Sequence, residues 1–261
     1  MNKTSELNID FARSPSPRKK QKKSKVFQTV LLVNVILIAL IIAIGLLTPA
    51  FRIHEITVTG TQYLTPSKII DASQLTVGRN IFTFRTGTVS QGIASLPFVD
   101  SVKVTREYPD KVSLIISECK PLAQVMCGDS LFIVVDHQGK ILDTTSESAK
   151  YGVPVIEGVA VEQFEVGQVI DTLQTEEFET LLQLAKELAE NNMIDLTAGL
   201  SLRQDNFLIT FQNGVVCNIG PGKNSSYKIR FLKEVIGKIP SGKTGTVEFI
   251  DEYKAVFKEN E

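Results

Sequence analysis

From Val26 to Leu47 the chain reads VFQTVLLVNVILIALIIAIGLL, twenty-two residues without a charge. Gln28, Thr29 and Asn34 are its only strongly polar members. At about 1.5 Å of rise per residue, a helix of this length reaches roughly 33 Å, enough to cross a hydrocarbon core of about 30 Å. A lone segment in lipid satisfies its backbone only as a helix, so this stretch predicts one transmembrane span. A signal peptide would have an apolar core of about 7–15 residues and small residues at a cleavage site. The run here is longer, and Thr48-Pro49-Ala50-Phe51 offers no such site. The span therefore reads as an uncleaved anchor over residues 26–47.

Charge orients it. Residues 1–25 carry eight basic side chains against Glu6 and Asp10, a net of +6. Six of the eight, Arg18, Lys19, Lys20, Lys22, Lys23 and Lys25, crowd against the span. The remaining 236 residues carry 20 basic and 27 acidic residues, a net of −7. Basic residues flanking a span stay in the cytoplasm. The expectation is a single-pass type II protein of the cell membrane, with tail 1–25 inside and the folded portion outside. Its position beside the span accounts for the lysine run, so nucleic acid is not an expected partner. Residues 1–17, with Ser14-Pro15-Ser16-Pro17, have the composition of a disordered tail.

Cys119, Cys127 and Cys217 are too few for a disulfide scaffold, and their number is odd. The outside portion must stand on an apolar core, with each cysteine read as a small buried residue. Two small domains are expected. In the first, 51–119, Ile56 and Val58 alternate with Glu55, Thr57 and Thr59 as a half-buried strand ending at Gly60. Thr65 caps a short helix over 66–73, with Pro66 at its first position and Leu64 stapled onto Ile69. Ile81, Phe82 and Phe84 are expected to plug the core after Gly78. Val89, Ile93 and Leu96 mark a second helix, ended by Pro97. Strands Val99–Arg106 and Lys111–Ser117 then form a hairpin across Glu107-Tyr108-Pro109-Asp110. The order is β-α-α-β-β.

The second domain, 120–250, opens with strands over Leu122–Met126, Leu131–Val135 and Lys140–Asp143. A helix over Thr175–Asn192 turns Phe178, Leu181, Leu182, Ala185, Leu188 and Ala189 inward, with Glu176 and Glu177 in its first turn. Leu200 and Leu202, then Phe207, Ile209 and Phe211, mark strands, and Asn213-Gly214 turns the chain back through Val215, Cys217 and Ile219. A helix follows over Ser226–Ile239, then a strand over Thr244–Ile250. Residues 251–261 read as a tail or a last strand through Tyr253, Val256 and Phe257. The fold class is α+β: the anchor, a βααββ domain, and a second α+β domain with a curved antiparallel sheet. A strand arriving last tends to lie at a sheet edge, where free N–H and C=O groups can template another chain.

Apparent chemical motifs do not survive inspection. Gly237–Thr244 matches G-x-x-x-x-G-K-[ST], but a phosphate loop needs a strand before it and a helix after it. Here the expected order is reversed, and Pro240 removes an amide. His54 and His137 have no metal-ligand spacing with other donors, and no nucleophile elbow is present. Asn224-Ser225-Ser226 matches a glycosylation acceptor but reads as a helix cap. No enzyme, metal, cofactor or nucleotide is expected.

Several segments in order resemble one family. They are the basic tail and anchor, F-x-I-x-x-I-x-V-x-G from Phe51, the G-x-N-I-F loop from Gly78, L-P-F-V-x-S-V-x-V from Leu96, and Y-P-D-x-V-x-L-x-I-x-E from Tyr108. Beyond them lie Glu118-Cys-Lys-Pro121, the strand–Asp–x–x–Gly hairpin within Leu131–Leu142, and the proline-bearing Tyr151–Gly158. This series is similar to the FtsQ/DivIB family of bacterial cell-division proteins, whose first outside domain is a POTRA domain. The resemblance spans about residues 18–250. It implies a non-enzymatic scaffold at the division septum that binds FtsB/DivIC-type and FtsL-type single-span partners. It also implies a part in controlling the septal cell-wall synthase. The expected docking mode is strand addition to an edge formed by Thr246, Val247, Glu248, Phe249 and Ile250, with Phe249, Tyr253 and Phe257 as anchors. The family's strand commonly ends in arginine where Val247-Glu248-Phe249-Ile250 stands here, which leaves its register open. Gln28 and Asn34 are candidates for hydrogen bonds to partner spans. Two alternatives remain. One is a POTRA-type chaperone of outer-membrane assembly, for which there is one POTRA copy and no room for a barrel. The other is an anchored cell-wall-binding hydrolase, for which no polar constellation is readable.

Overall fold

The computed structural model describes residues 25–128, 130–148, 150–221, 225–240, 242–251 and 254–259. The basic run before Lys25, the tail 1–17, Asn224, Ser241 and Tyr253 lie outside them. The chain divides into two compact units, 1–49 and 50–261.

In the first unit, α1 spans Lys25–Leu47. Its segment Phe27–Gly45 has a mean hydropathy of 2.7 and no side-chain burial, the exterior of a helix suited to lipid. Asn34 turns its amide back to donate to the Val30 carbonyl at 2.9 Å, one turn earlier. That bond settles its polarity within the helix. Thr48 closes the last turn, its N–H and hydroxyl both donating to the Ile44 carbonyl.

The second unit begins with the expected βααββ series: β1 (Glu55–Thr59), α2 (Pro66–Ser73), α3 (Thr86–Ala94), β2 (Val99–Glu107) and β3 (Lys111–Glu118). The sheet order is β1-β3-β2, with β1 parallel and β2 antiparallel to the central strand. Valine and leucine alternate along β3 so that Val112, Leu114 and Ile116 face the helices, where Ile69, Val89 and Ile93 meet them. Thr65 caps α2 as expected, its hydroxyl accepting from Lys68 N–H. Ile53 precedes β1 rather than belonging to it. It is fully buried and exchanges hydrogen bonds with Gly78 and Arg79.

Phe82 corrects one expectation. Ile81 and Phe84 enter the core, but Phe82 is 44% exposed, stacked on Tyr108 and tilted against Phe51. The loop decides this locally. Asn80 accepts from the Phe82 N–H at 2.9 Å through its side chain, and its carbonyl accepts from Thr83. That tight turn sends adjacent side chains opposite ways.

The larger sheet comprises β4 (Ala123–Cys127), β5 (Leu131–Val135), β6 (Ile141–Thr145), β7 (Val155–Glu157), β8 (Thr197–Arg203), β9 (Asn206–Phe211), β10 (Val216–Gly220), β11 (Gly245–Asp251) and β12 (Lys254–Glu259). Helix α4 (Thr175–Glu190) lies between β7 and β8 in the chain, and α5 (Ser225–Lys238) between β10 and β11. The nine strands line up as β12-β11-β10-β9-β8-β7-β4-β5-β6. Neighbours are antiparallel except at three parallel junctions, β4–β7, β7–β8 and β10–β11. Phe178, Leu181, Leu184, Ala185 and Leu188 of α4 and Ile229 and Leu232 of α5 bury against one face.

Glu187 joins the two helices from within. It is 5% exposed, and its carboxylate accepts from Gln183 and from the Ser225 and Ser226 hydroxyls at the start of α5. A carboxylate there is favoured by the helix dipole.

The three-stranded sheet and the nine-stranded sheet meet at a small apolar cluster. Phe98, Cys119, Val134 and Leu142 are buried in it, with Tyr63, Leu64 and Tyr151 packed against them. Glu118 fixes the exit from β3. Its carboxylate accepts from the backbone N–H groups of Gln62, Tyr63 and Leu64 at 2.7, 2.7 and 2.9 Å. Across the junction, the Lys140 ammonium donates to the Val99 carbonyl at 3.0 Å.

Candidate docking edge

Thr246–Ile250 do not form an edge. They lie in β11, which pairs with β10 on one side and with β12 on the other. The reason is that the chain turns back for one more antiparallel strand. Val247 stands opposite both Cys217 of β10 and Phe257 of β12, and is fully buried. The edge position passes to β12, the last-strand reading of residues 251–261. Among the described residues no strand pairs with its outer side.

The local sequence explains how β12 is held. Its alternation turns Ala255 and Phe257 toward the core and the intervening Val256 to the opposite face. Phe257 and Phe249 are both half-buried against the main cluster, so each serves packing. Phe249 sits 6.1 Å from the Phe231 ring, and the Lys228 ammonium lies 5.6 Å from its centroid. On the other face Lys258 pairs with Glu248 at 2.5 Å, and at the end of the strand Lys243 pairs with Glu259. Thr246 is half-buried, and Ile250 is 62% exposed at the end of β11. Burial pushes the Cys217 thiol up to about 12, a sign of how dry the β10–β11 contact is.

The opposite end of the sheet is less open. The outer side of β6 is met by the segment 165–170. Ile141 N–H donates to the Gln168 carbonyl, Gly167 N–H donates to the Ile141 carbonyl, and Lys140 bridges to Val169. Further along, Lys150 and Tyr151 reach back to Asp143. Among the described residues β12 is the end strand met by no neighbouring segment, whereas β6 is met at its first residue.

Other side chains singled out by type are accounted for individually. His54 is largely exposed and lies 3.3 Å from Asp110, and His137 sits exposed in the β5–β6 turn. Among the described residues no group of three His, Cys, Asp or Glu side chains is placed to hold a metal ion. The Gly237–Thr244 segment has helix α5 before it and strand β11 after it, the reverse of a phosphate loop. Cys119 and Cys217 are buried and Cys127 half-buried, all three as free thiols.

Residues 51–118 match the FtsQ-type POTRA domain. The chain is 22% identical over 253 residues to the cell division protein DivIB of Clostridium botulinum (strain Hall), covering 96% of this chain and 98% of that protein. It is 28% identical over 137 residues to the cell division protein FtsQ of Corynebacterium glutamicum, covering 52% of this chain and 58% of that one. Against the cell division protein FtsQ of Streptomyces collinus it is 33% identical over 107 residues, 41% of this chain and 40% of the other. The chain carries an FtsQ-type POTRA domain and is similar over most of its length to the DivIB and FtsQ cell division proteins. Its POTRA match begins at Phe51, whose carbonyl accepts from Ile81 N–H, and ends at Glu118, the residue that ties off β3. These similarities support a role in cell division, and α1 is long and apolar enough to cross a membrane.

Proposed function

We propose that this chain is a non-enzymatic scaffold of the division machinery that binds FtsB/DivIC-type and FtsL-type single-span partners by strand addition along β12. The same complex would bear on the septal cell-wall synthase. The proposed topology is single-pass type II, at the septum, with residues 50–261 outside the membrane. The observation that supports the docking mode is the open side of β12 among the described residues, while at the far end of the sheet the start of β6 is already bonded to the segment 165–170. An unpaired strand edge offers affinity through main-chain hydrogen bonds, and pockets for alternate side chains add selectivity. In this reading Thr246–Ile250 hold β12 in register rather than touch the partner's backbone. Phe257 and Phe249 brace the edge from the core, and Ile250 extends an apolar flank. Tyr253 is the remaining anchor candidate and lies outside the described residues.

Successive residues of an antiparallel edge strand alternate, one bonding inward and the next outward. Val256→Pro and Phe257→Pro therefore separate the two directions. One removes a bond to β11 and the other blocks the free side, each compared with alanine at the same position because Phe257 also packs against the core. The expected outcome is that one variant keeps the parent unfolding midpoint while partner affinity falls on the order of tenfold, as loss of one hydrogen bond plus a steric clash requires. Full partner co-purification by both folded variants would rule out docking on β12.

A further inference from the structure

The exposed aromatic stack at the start of residues 50–261 has no role in the scaffold reading. Phe51 and Phe82 lie 5.2 Å apart, and Phe82 stacks on Tyr108 at 5.6 Å. Phe82 and Tyr108 are 44% and 60% exposed, and Val77 in the same loop is 65% exposed. The loop is built to hold this arrangement. Asn80 fastens the Phe82 and Thr83 backbone, and the Arg79 guanidinium donates to the Thr83 carbonyl at 3.3 Å and to its hydroxyl at 3.4 Å. Arg52, Arg79 and Arg85 are exposed around it. Of the acids at this end of the domain, Glu55 pairs with Lys111 at 2.6 Å and Asp110 lies 3.3 Å from His54. The Lys111 pair holds the Glu55 carboxyl below its ordinary value. Glu107 is opposite Lys111 across the hairpin. Arg52, Arg79, Arg85 and Lys111 against Glu55, Glu107 and Asp110 leave this exposed aromatic surface a small basic excess.

Chain continuity says what could cover it. Helix α1 ends at Leu47, four residues before Phe51. Four residues span at most about 14 Å, so the stack cannot leave the neighbourhood of the helix end. Aromatic side chains favour the headgroup level of a bilayer, and arginines favour anionic headgroups. Three rings alone would hold a free protein weakly, but a short tether supplies a high effective concentration at no contact cost.

We propose that the Phe51–Phe82–Tyr108 face, with Arg52 and Arg79, rests in the phospholipid headgroup layer of the bilayer that α1 crosses. This rests on the anchor reading of α1. It fixes the orientation in which the POTRA domain presents the rest of the chain to its partners.

The chain contains no tryptophan, so a single substitution installs the only indole. Full-length Phe82→Trp is reconstituted into phosphatidylcholine and phosphatidylglycerol vesicles doped with nitroxide-labelled lipid. Its emission is expected to shift to the blue, and lipid nitroxide should quench it several-fold more strongly than it quenches Leu173→Trp, whose site is 62% exposed in the other domain. Aqueous iodide should show the opposite order. Tyr108→Trp should behave like Phe82→Trp, which guards against one perturbed position, and adding Arg79→Glu to Phe82→Trp should weaken the lipid quenching. Ile38→Trp, within the span, reports the anchor. If its indole is quenched by lipid while both stack indoles respond only to iodide, headgroup docking is wrong and the anchor stands. Such a result would leave the stack free for a protein. If Ile38→Trp is not quenched either, the anchor reading falls and the docking with it.

Discussion

The POTRA domain and the nine-stranded sheet are both built from strands backed by two helices, yet they finish differently. The POTRA sheet is short and tied at its exit. Its central strand is flanked on both sides, and Glu118 at its end takes three backbone donors from the loop before α2. The larger sheet adds strand to strand until β12, which has a neighbour on one side only. A tied exit fixes the direction of whatever follows. An untied strand leaves backbone polarity to be met by solvent or by another chain. On the proposed reading, the contrast separates a part that orients from a part that binds.

Two glycines test this most directly, because each leaves no room for a methyl group. A Cβ at Gly60, where φ is +85°, would stand 2.0 Å from the Ile116 carbonyl oxygen in the central strand. A Cβ at Gly245 would stand 2.2 Å from the Lys258 carbonyl oxygen and under 3 Å from the Phe257 ring. The obstacle at Gly60 is held from both sides and cannot retreat. Gly60→Ala is expected to cost roughly 3 kcal/mol or more, with hydrogen-exchange protection lost across the POTRA domain. The obstacle at Gly245 is β12 itself, which can be displaced outward. Gly245→Ala is expected to cost about 1–2 kcal/mol, with protection lost only in β11 and β12 and partner binding abolished. Equal costs, or protection lost throughout the sheet in Gly245→Ala, would show that β12 is no more easily moved than the POTRA core.

Glu118→Ala comes next in size. It strands three donors that a charged acceptor now satisfies, in a partly buried site, so a loss of about 2 kcal/mol in urea unfolding is expected. Glu118→Gln keeps one acceptor oxygen and should recover part of it. A loss below about 0.5 kcal/mol for the alanine variant would mean that solvent replaces the carboxylate and the exit is not tied.

Local features were readable in advance where a short-range rule decides them. Thr65 caps α2, the two hairpins turn at Pro109-Asp110 and Asn213-Gly214, and periodicity assigns the inward faces of α4 and α5. What periodicity cannot express is which strand lies beside which. Thr246–Ile250 alternate as an edge strand would, but edge status depends on whether six further residues fold back against them. Strand β7 is three residues long and lies between β4 and β8 through parallel pairing on both sides, which no local signal encodes. Phe82 was misplaced because one aromatic residue in a loop has no period, and the Asn80 turn that expels it is a side-chain event. Glu187 sits on the polar side of α4 by pattern, and only the arrival of α5 buries it. The sheet edge was thus legible to within one strand, and the missing strand order is a property of the closed sheet.

The smallest expected effect lies at the contact between the two domains. Tyr151 packs with Tyr63 and Phe98, its ring centroid 6.0 and 6.1 Å from theirs, and its hydroxyl donates to Asp143 at 2.5 Å. Burial alone would raise the Asp143 carboxyl, but the hydrogen bonds from Tyr151 and Lys150 outweigh it and hold the group below its ordinary value. A carboxyl whose folded-state pKa is depressed contributes stability above the unfolded pKa, lost as pH falls through the folded one. Tyr151 itself is raised, chiefly by burial, so its contribution is present at neutral pH and lost as pH rises past the ordinary tyrosine range. Tyr151→Phe keeps the ring and removes both effects. The Asp143 carboxyl, followed by carbon NMR, should then titrate at higher pH than in the parent chain. Unfolding free energies should differ by a few tenths of a kcal/mol at neutral pH, a figure kept small by the partial exposure of the pair. That difference should shrink below the carboxylate range and again above the tyrosine range. An Asp143 titration unmoved by Tyr151→Phe would mean that Lys150 alone sets it. The junction would then be held by ring packing and by the Lys140 bond to Val99, with no polar lock of its own.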